Sequence, residues 1–349
     1  MLWGGVVATG WPQGSRGHLS LRLGAPVPLT GRYSVQGQQI EFTLSLWGES
    51  HDADVEMIDD QSDPQRSAEI HEDLRDRCDI VLGPYGSDSG RAVADLAAGA
   101  TVWNHGAAAD DVQMRTGVVS LPTPSSSYLV ALARVIAEVQ PGASVLVGRA
   151  SGAFARAAVM GLERVSCALD LEVLGSHPLD RVESELRRAR PDSILLCGPL
   201  HAEARLLARL ERIAPDLLLG GVSPGLAEFA AVAGTQLDGA LAPVQWHPDA
   251  VATVTLGPTV ERFLVEADRW KGGQLDYVGV QAYAAALIAQ ESVIRRPDDP
   301  IRAARELRAT TLYGDFGLDT GTGLQRDHSL AVIQRFRGDR RLVHTEGSS

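Results

Sequence analysis

The sequence predicts an α/β protein of two lobes, each a parallel sheet covered by helices on both faces. Three observations carry this reading. The chain has 349 residues, more than one ordinary domain and enough for two of about 150 residues each. Short apolar runs alternate with longer helical patterns over residues 21–103 and again over 144–244, and that order implies parallel strands joined by helical crossovers. Between the two series lies Pro122-Thr123-Pro124-Ser125-Ser126-Ser127, a cluster that punctuates the chain.

The first series opens with a strand from Leu21 and the turn Pro26-Val27-Pro28-Leu29-Thr30-Gly31, then a helical pattern to Trp47. A strand over 54–60 leads through Gln61-Ser62-Asp63-Pro64 into a helix over 65–77. The apolar strand 79–82 closes on Gly83-Pro84-Tyr85-Gly86-Ser87-Asp88-Ser89-Gly90, where another helix begins. Residues 99–103 and the loop 104–111 complete this series, and the Pro/Ser cluster then caps a helix over 128–139. In the second series strands are expected at 144–148, 171–175, 193–197, 217–220 and 239–244. Helices at 154–169, 181–190, 201–213 and 226–232 separate them, a second Rossmann-like rhythm. Trp246-His247-Pro248 marks a further break, followed by helices at 259–270, 277–294 and 300–308 and a strand at 329–336.

Composition narrows the function. A net charge of -12 argues against a nucleic-acid backbone as partner. The cluster Arg187, Arg188 and Arg190 reads as a solvated helix face, and Lys271 as the sole lysine reads as compositional bias. Cys78, Cys167 and Cys197 are odd in number and lack metal-ligand spacing, and Cys197, ending an apolar strand, reads as a buried free thiol. No run approaches the roughly 20 apolar residues of a membrane span. Residues 1–19 read as a tail, with no Lys or Arg before Arg16 and no cysteine to take a lipid. A secretory signal would have a basic start and a cleavage site, so either a signal has been removed or the chain is cytoplasmic.

Ser87 follows a predicted strand and stands at a helix start. Open parallel sheets bind ligands beyond the carboxyl ends of their strands, and a hydroxyl among free backbone N–H groups suits a carboxylate. The competing reading is a plain helix cap.

Taken in order, Pro28-Leu29-Thr30-Gly31, Asp59-Asp60 with Asp63-Pro64, and Gly83-Pro84 with Ser87 and Ser89 resemble the type I periplasmic binding proteins. The branch they resemble is that of the leucine/isoleucine/valine receptors of ABC transporters. Gly117-Val118-Val119-Ser120-Leu121-Pro122-Thr123-Pro124 is similar to the family's crossover into the second lobe, and residues 314–328 to its closing segment. The resemblance spans residues 20–345. It implies a three-strand hinge, with lobe one over 20–123 and 249–325 and lobe two over 124–248 and 326–349. It also implies an extracytoplasmic receptor that captures a small organic ligand, without a cofactor or membrane insertion, for an ABC permease. A cytoplasmic sensor of the same fold, like the amide-sensing regulators, is the alternative. A disulfide found in some relatives would fall at Ser62 and Gly86 and is absent here.

By the same resemblance the ligand meets Ser87, Ser89 and the backbone of Gly106, Ala107 and Ala108 on lobe one. Ala108 stands where relatives offer a threonine hydroxyl. On lobe two, Phe154 takes the place of a covering aromatic and His201 a further pocket position, with Ser223 added on closure. Core packing for Phe154 and plain solvation for His201 are the competing readings, and His105 reads as structural. Relatives that bind α-amino acids carry an acid after the next strand, whereas this chain reads Gly220-Gly221-Val222-Ser223-Pro224-Gly225 with no acid before Glu228. Asp88, Asp110 or Asp111 would have to serve an ammonium instead. A carboxylate or amide with an apolar body is therefore the expected ligand.

Gly221-Val222-Ser223-Pro224-Gly225 is also a literal Gly-x-Ser-x-Gly, the nucleophile elbow of α/β hydrolases. The residue after the nucleophile must donate its N–H to the oxyanion, and Pro224 has none. Gly321-Thr322-Gly323 lacks the spacing of a dinucleotide fingerprint. The chain reads as a binding protein, not an enzyme.

Overall fold

The structure, a computed structural model, describes residues 21–96, 99–233, 237–272, 275–337 and 339–345. The tail read over residues 1–19 lies outside them.

Lobe one begins with β1 (Arg22–Val27), α1 (Ser34–His51), β2 (Asp54–Asp59), α2 (Pro64–Arg75) and β3 (Ile80–Val81). It continues through α3 (Ser87–Leu96), β4 (Val102–Asn104), α4 (Asp110–Gln113) and β5 (Val118–Ser120). The strands lie in the order β2-β1-β3, all parallel, and a bridge from Leu82 to Trp103 carries the sheet on to the parallel pair β4-β5. Local chemistry sets the helix starts. Asp63 caps α2 by accepting from the Arg66 N–H at 2.8 Å, and Pro64 supplies a first-turn residue that needs no donor.

The chain then crosses into α5 (Tyr128–Val139), β6 (Ser144–Arg149), α6 (Ala153–Val165), β7 (Glu172–Pro178), α7 (Val182–Ala189) and β8 (Ser193–Cys197). Next come α8 (Leu200–Ile213), β9 (Leu218–Gly221), α9 (Phe229–Ala233) and β10 (Leu241–Val244). It returns to lobe one as α10 (Val260–Ala267), α11 (Tyr277–Arg295), α12 (Pro300–Glu306), β11 (Ala309–Thr311) and β12 (Gly314–Phe316). A last crossing leads to β13 (Ala331–Phe336) and β14 (Asp339–Thr345), which join the second sheet. That sheet has the order β14-β13-β10-β9-β8-β6-β7, all running one way except β13, which is antiparallel to both its neighbours. The chain therefore passes between the sheets three times.

The sequence reading of 128–139 and of 193–197 holds to the residue. Every residue of β8 is buried, as expected of a parallel strand covered on both faces. The reading missed β14 and the β11–β12 hairpin. β14 alternates between exposed and half-buried residues on an edge, and β11 and β12 are only three residues each, so neither shows a strong apolar run.

Each lobe has its own core. In lobe one α11 is buried nearly all round, which is why its middle is built of small residues, Ala282, Ala284, Ala285, Ala286 and Ala289. Alanine favours the helix and lets α1 approach, so that Thr43 donates to the Gly279 carbonyl at 2.8 Å. In lobe two, α5 and α6 cover one face of the sheet through Leu132, Ile136 and Leu162, and α8 covers the other through Leu207 and Leu210.

Candidate functional site

Strand order alone locates two crevices. In lobe one the connections reverse direction between β1 and β3, and in lobe two between β6 and β8. Ligands of open α/β sheets bind at such switch points, beyond the carboxyl ends of the strands. Those ends lead into residues 28–31 and 83–90 in lobe one, and into 150–154 and 198–201 in lobe two.

The residues that carry the family resemblance in the first loop hold one another. Thr30 donates through both N–H and hydroxyl to Asp59, at 3.1 and 2.7 Å. The Ser62 hydroxyl donates to the Thr30 carbonyl at 2.9 Å and accepts from the Tyr33 N–H at 3.1 Å. Asp60 is fully buried and accepts from the Ser62 N–H and the Ser67 hydroxyl. Gly31 has φ +84, and a Cβ there would lie 2.4 Å from the Gln61 carbonyl oxygen, so only glycine serves this turn. This loop is a frame for the site.

Ser87 and Ser89 stand in the first turn of α3. Ser87 is half-buried and Ser89 only 3% exposed, yet neither hydroxyl has a hydrogen-bond partner among the described residues. The capping bond of the competing reading is not made. Beside them, most backbone groups of Gly106–Ala108 are already engaged. Asn104 Oδ1 accepts from the N–H of Gly106 and of Ala107, at 3.2 and 2.8 Å. Gly86 donates to the Gly106 carbonyl, Asn104 to that of Ala107, and Ser125 to that of Ala108. The Ala108 N–H remains. His105 is 1% exposed with no hydrogen bond at either ring nitrogen, and burial pushes it down to about 4, so the ring is neutral at pH 7.

In lobe two, Phe154 is half-buried at the start of α6 and meets Tyr128 edge-on, with ring centroids 5.0 Å apart. His201 is exposed on the first turn of α8 and makes no hydrogen bond. Ser223 is buried, and its hydroxyl donates to the Gly198 carbonyl at 3.3 Å. The organiser here is Glu203, which is fully buried. Its two oxygens accept from the N–H of Gly198 at 2.5 Å and of Ser223 at 2.8 Å, stapling the ends of β8 and β9. Burial pushes this carboxyl up to about 8, against those hydrogen bonds.

Tyrosines are what the sequence reading missed. Tyr33 packs edge-on against Tyr85 with centroids 5.3 Å apart, and the Tyr85 and Tyr277 hydroxyls lie 3.4 Å apart. Tyr128 lies near enough to influence both Tyr85 and Tyr277. Aromatic rings thus gather in both lobes, Tyr33, Tyr85 and Tyr277 in lobe one and Tyr128 and Phe154 in lobe two. A signal existed, since only 5% of the chain is aromatic and Tyr85 sits inside the Gly83–Gly90 loop.

The lobes also touch. Gln36 donates to Glu228 at 2.9 Å, and the Ala227 N–H donates to Asp276 at 2.7 Å. Arg340 of β14 forms a buried ion pair with Asp276 at 2.9 Å. The acids that an ammonium would need are all engaged. Asp88 pairs with Arg91 at 3.1 Å and Asp111 with the same guanidinium at 2.7 Å. Asp110 accepts from the Ser125 hydroxyl and the Ser126 N–H.

The chain is similar in fold to several solved solute-binding proteins. A branched-chain amino acid substrate-binding protein from Streptococcus pneumoniae, in complex with isoleucine, superposes with TM-score 0.76 at 14% identity over 93% of this chain and 99% of that one. A leucine-, isoleucine-, valine-, threonine- and alanine-binding protein from Brucella ovis, in a closed conformation, gives TM-score 0.80 at 12% identity, covering 93% and 95%. A solute-binding protein of an ABC transporter from Rhodopseudomonas palustris, with 3,4-dihydroxybenzoic acid, gives 0.76 at 15% identity, covering 93% and 97%. No curated protein matches the sequence. Among the described residues no helix is long and apolar enough to cross a membrane. The periplasmic binding protein family model matches residues 20–338; with two sheets, three crossings and ligand-edge loops arranged as above, this chain belongs to the periplasmic binding protein family and has its type I fold.

Proposed function

We propose that this protein is an extracytoplasmic solute receptor that closes its lobes over a small organic acid or amide and presents it to an ABC permease. The ligand has one oxygen-bearing polar end and an apolar or aromatic body. One observation carries the choice of ligand. Among the described residues the Ser87 and Ser89 hydroxyls are unpartnered, whereas Asp88, Asp110, Asp111, Glu203, Glu228 and Asp276 all have partners. A carboxylate or amide oxygen therefore finds donors in Ser87, Ser89 and the Ala108 N–H. An ammonium finds none of these six acids free, and burying one unpaired costs several kcal/mol. Tyr33, Tyr85, Tyr277, Tyr128 and Phe154 supply the surface for the body, with Ser223 and His201 at the lobe-two rim. The dihydroxybenzoic acid held by the Rhodopseudomonas protein is a ligand of this kind. Ser223 is not a nucleophile, because its hydroxyl is bonded to a carbonyl and Pro224 lacks an N–H.

Calorimetry with matched pairs, an α-amino acid and its deaminated analogue, tests the reading. The analogue is expected to bind at least as tightly. An amino acid that binds tenfold tighter, about 1.4 kcal/mol, would show that one of the engaged acids turns to the ligand.

A further inference from the structure

The receptor reading leaves one charged group at the ligand edge without a role. Arg149 ends β6 and is paired in register with Cys197 at the end of β8 and Pro178 at the end of β7. It therefore stands beside the switch point of lobe two, near enough to Cys197 for its charge to act on the thiol. The guanidinium is half-buried and fixed from two sides, Nε donating to the Ser176 hydroxyl at 2.9 Å and Nη1 to the Ala150 carbonyl at 3.3 Å. Neither partner is charged. Among the described residues no carboxylate pairs with it and Nη2 has no hydrogen bond. That is notable in a chain with 44 acids to 32 Lys and Arg, and it contrasts with Arg340, which is buried together with Asp276.

The acid beyond Cys197, Glu203, is taken up by the N–H groups of Gly198 and Ser223. Arg156 donates to the Ser151 carbonyl in the loop that follows β6. The first turn of α6, which carries Phe154, holds no acid. A guanidinium fixed in orientation and lacking a counter-charge is suited to a carboxylate, which it meets with two parallel hydrogen bonds.

We propose that Arg149 reads a second anionic group, so that the preferred ligands are acids at both ends. One carboxylate lies on Ser87, Ser89 and the Ala108 N–H of lobe one, the body on the aromatic surface, and the other carboxylate on Arg149 of lobe two. This rests on the receptor reading. Such a ligand bridges the lobes by charge, so it also favours the closed form.

The test is calorimetry on the whole chain with dicarboxylates against monocarboxylates of matched length: adipate against hexanoate, and terephthalate against 4-methylbenzoate. Wild type should prefer the diacid by about tenfold or more. Arg149→Gln should remove that preference and leave monoacid affinity within about twofold, while Arg149→Lys should keep part of it. A wild type that does not distinguish the pairs, or a preference that survives Arg149→Gln, overturns the proposal. Should the glutamine variant not fold, the wild-type comparison and the lysine variant decide. If monoacids bind and diacids bind no better, this inference fails and the receptor reading stands. If no acid of either kind binds, the proposed ligand class fails and this inference falls with it.

Discussion

Gln245 closes a two-way pair with the peptide of Thr123: its Oε1 accepts from the Thr123 N–H and its Nε2 donates to the Thr123 carbonyl, both at 3.0 Å. A side-chain amide thus imitates a strand neighbour, joining the first crossing between the lobes to the second. The third crossing joins through His328, whose ring stacks on Tyr313 with centroids 4.2 Å apart and whose Nδ1 lies 2.6 Å from the Thr123 hydroxyl. Tyr313 in turn donates to Gln245 at 2.7 Å. The hinge is a closed polar network in which every crossing is tied to the others.

Because Gln245 is 2% exposed, Gln245→Leu strands the buried Thr123 N–H and carbonyl and the Tyr128 hydroxyl it donates to. Each unsatisfied group costs about 1–3 kcal/mol. Denaturant unfolding is expected to show a loss of about 2–5 kcal/mol, well beyond that of an exposed glutamine such as Gln38. A loss under 1 kcal/mol would mean that the network is dispensable.

Ser87→Ala separates binding from stability. With no protein partner for the hydroxyl, the melting temperature of the ligand-free protein should hardly move. Affinity for a carboxylate ligand should fall by about 1–3 kcal/mol, the range for a hydrogen bond to a charged group. The opposite pattern, lower stability with unchanged affinity, would return Ser87 to the role of a cap.

Stability should peak near neutral pH. Burial holds His71, His105 and His328 down to about 4 from an ordinary 6.5. Between those values the unfolded chain binds more protons, so stability rises with pH and is lost as pH falls through 4. Glu203 runs the other way, from 4.5 unfolded to about 8 folded, so its contribution is lost as pH rises through 8. Three groups outweigh one below about pH 6.5, and above it Glu203 leads, joined towards pH 9 by the Cys197 thiol, which burial likewise pushes up. Urea midpoints from pH 4 to 9 should show the maximum, and Glu203→Gln should flatten its alkaline side. An unchanged alkaline slope in that variant would show that Glu203 ionises freely.

Asp276 holds the lobes together. Its carboxylate caps α11, takes the Ala227 N–H and pairs with Arg340. Asp276→Ala leaves a buried guanidinium unpaired, at a cost of about 3–5 kcal/mol, and leaves the 223–228 loop held to lobe one by the Gln36–Glu228 bond but no longer by the Ala227 N–H. X-ray scattering should give a larger radius of gyration for the variant than for wild type without ligand. Identical envelopes would place the closing force elsewhere.

Much of the architecture was legible in the sequence, because the signals are local. Apolar period, Gly/Pro turns and caps such as Asp63 act within a few residues, so the alternation of elements and the place of Ser87 followed from them. Where the signal was weak, as in the three-residue strands β11 and β12, reading failed. The chemistry of the site was decided by tertiary structure. Whether an acid can serve an ammonium depends on its partner, and those partners are distant in sequence: Ser223 for Glu203, Arg340 for Asp276, Arg91 for Asp111. The same holds for the free hydroxyls of Ser87 and Ser89, the gathering of Tyr33, Tyr85, Tyr128 and Tyr277, and the isolation of Arg149. Residue type tells what a group can bond to. Only the packed chain, by bringing some partners within 3 Å or so and keeping others away, determines which groups are left for a ligand.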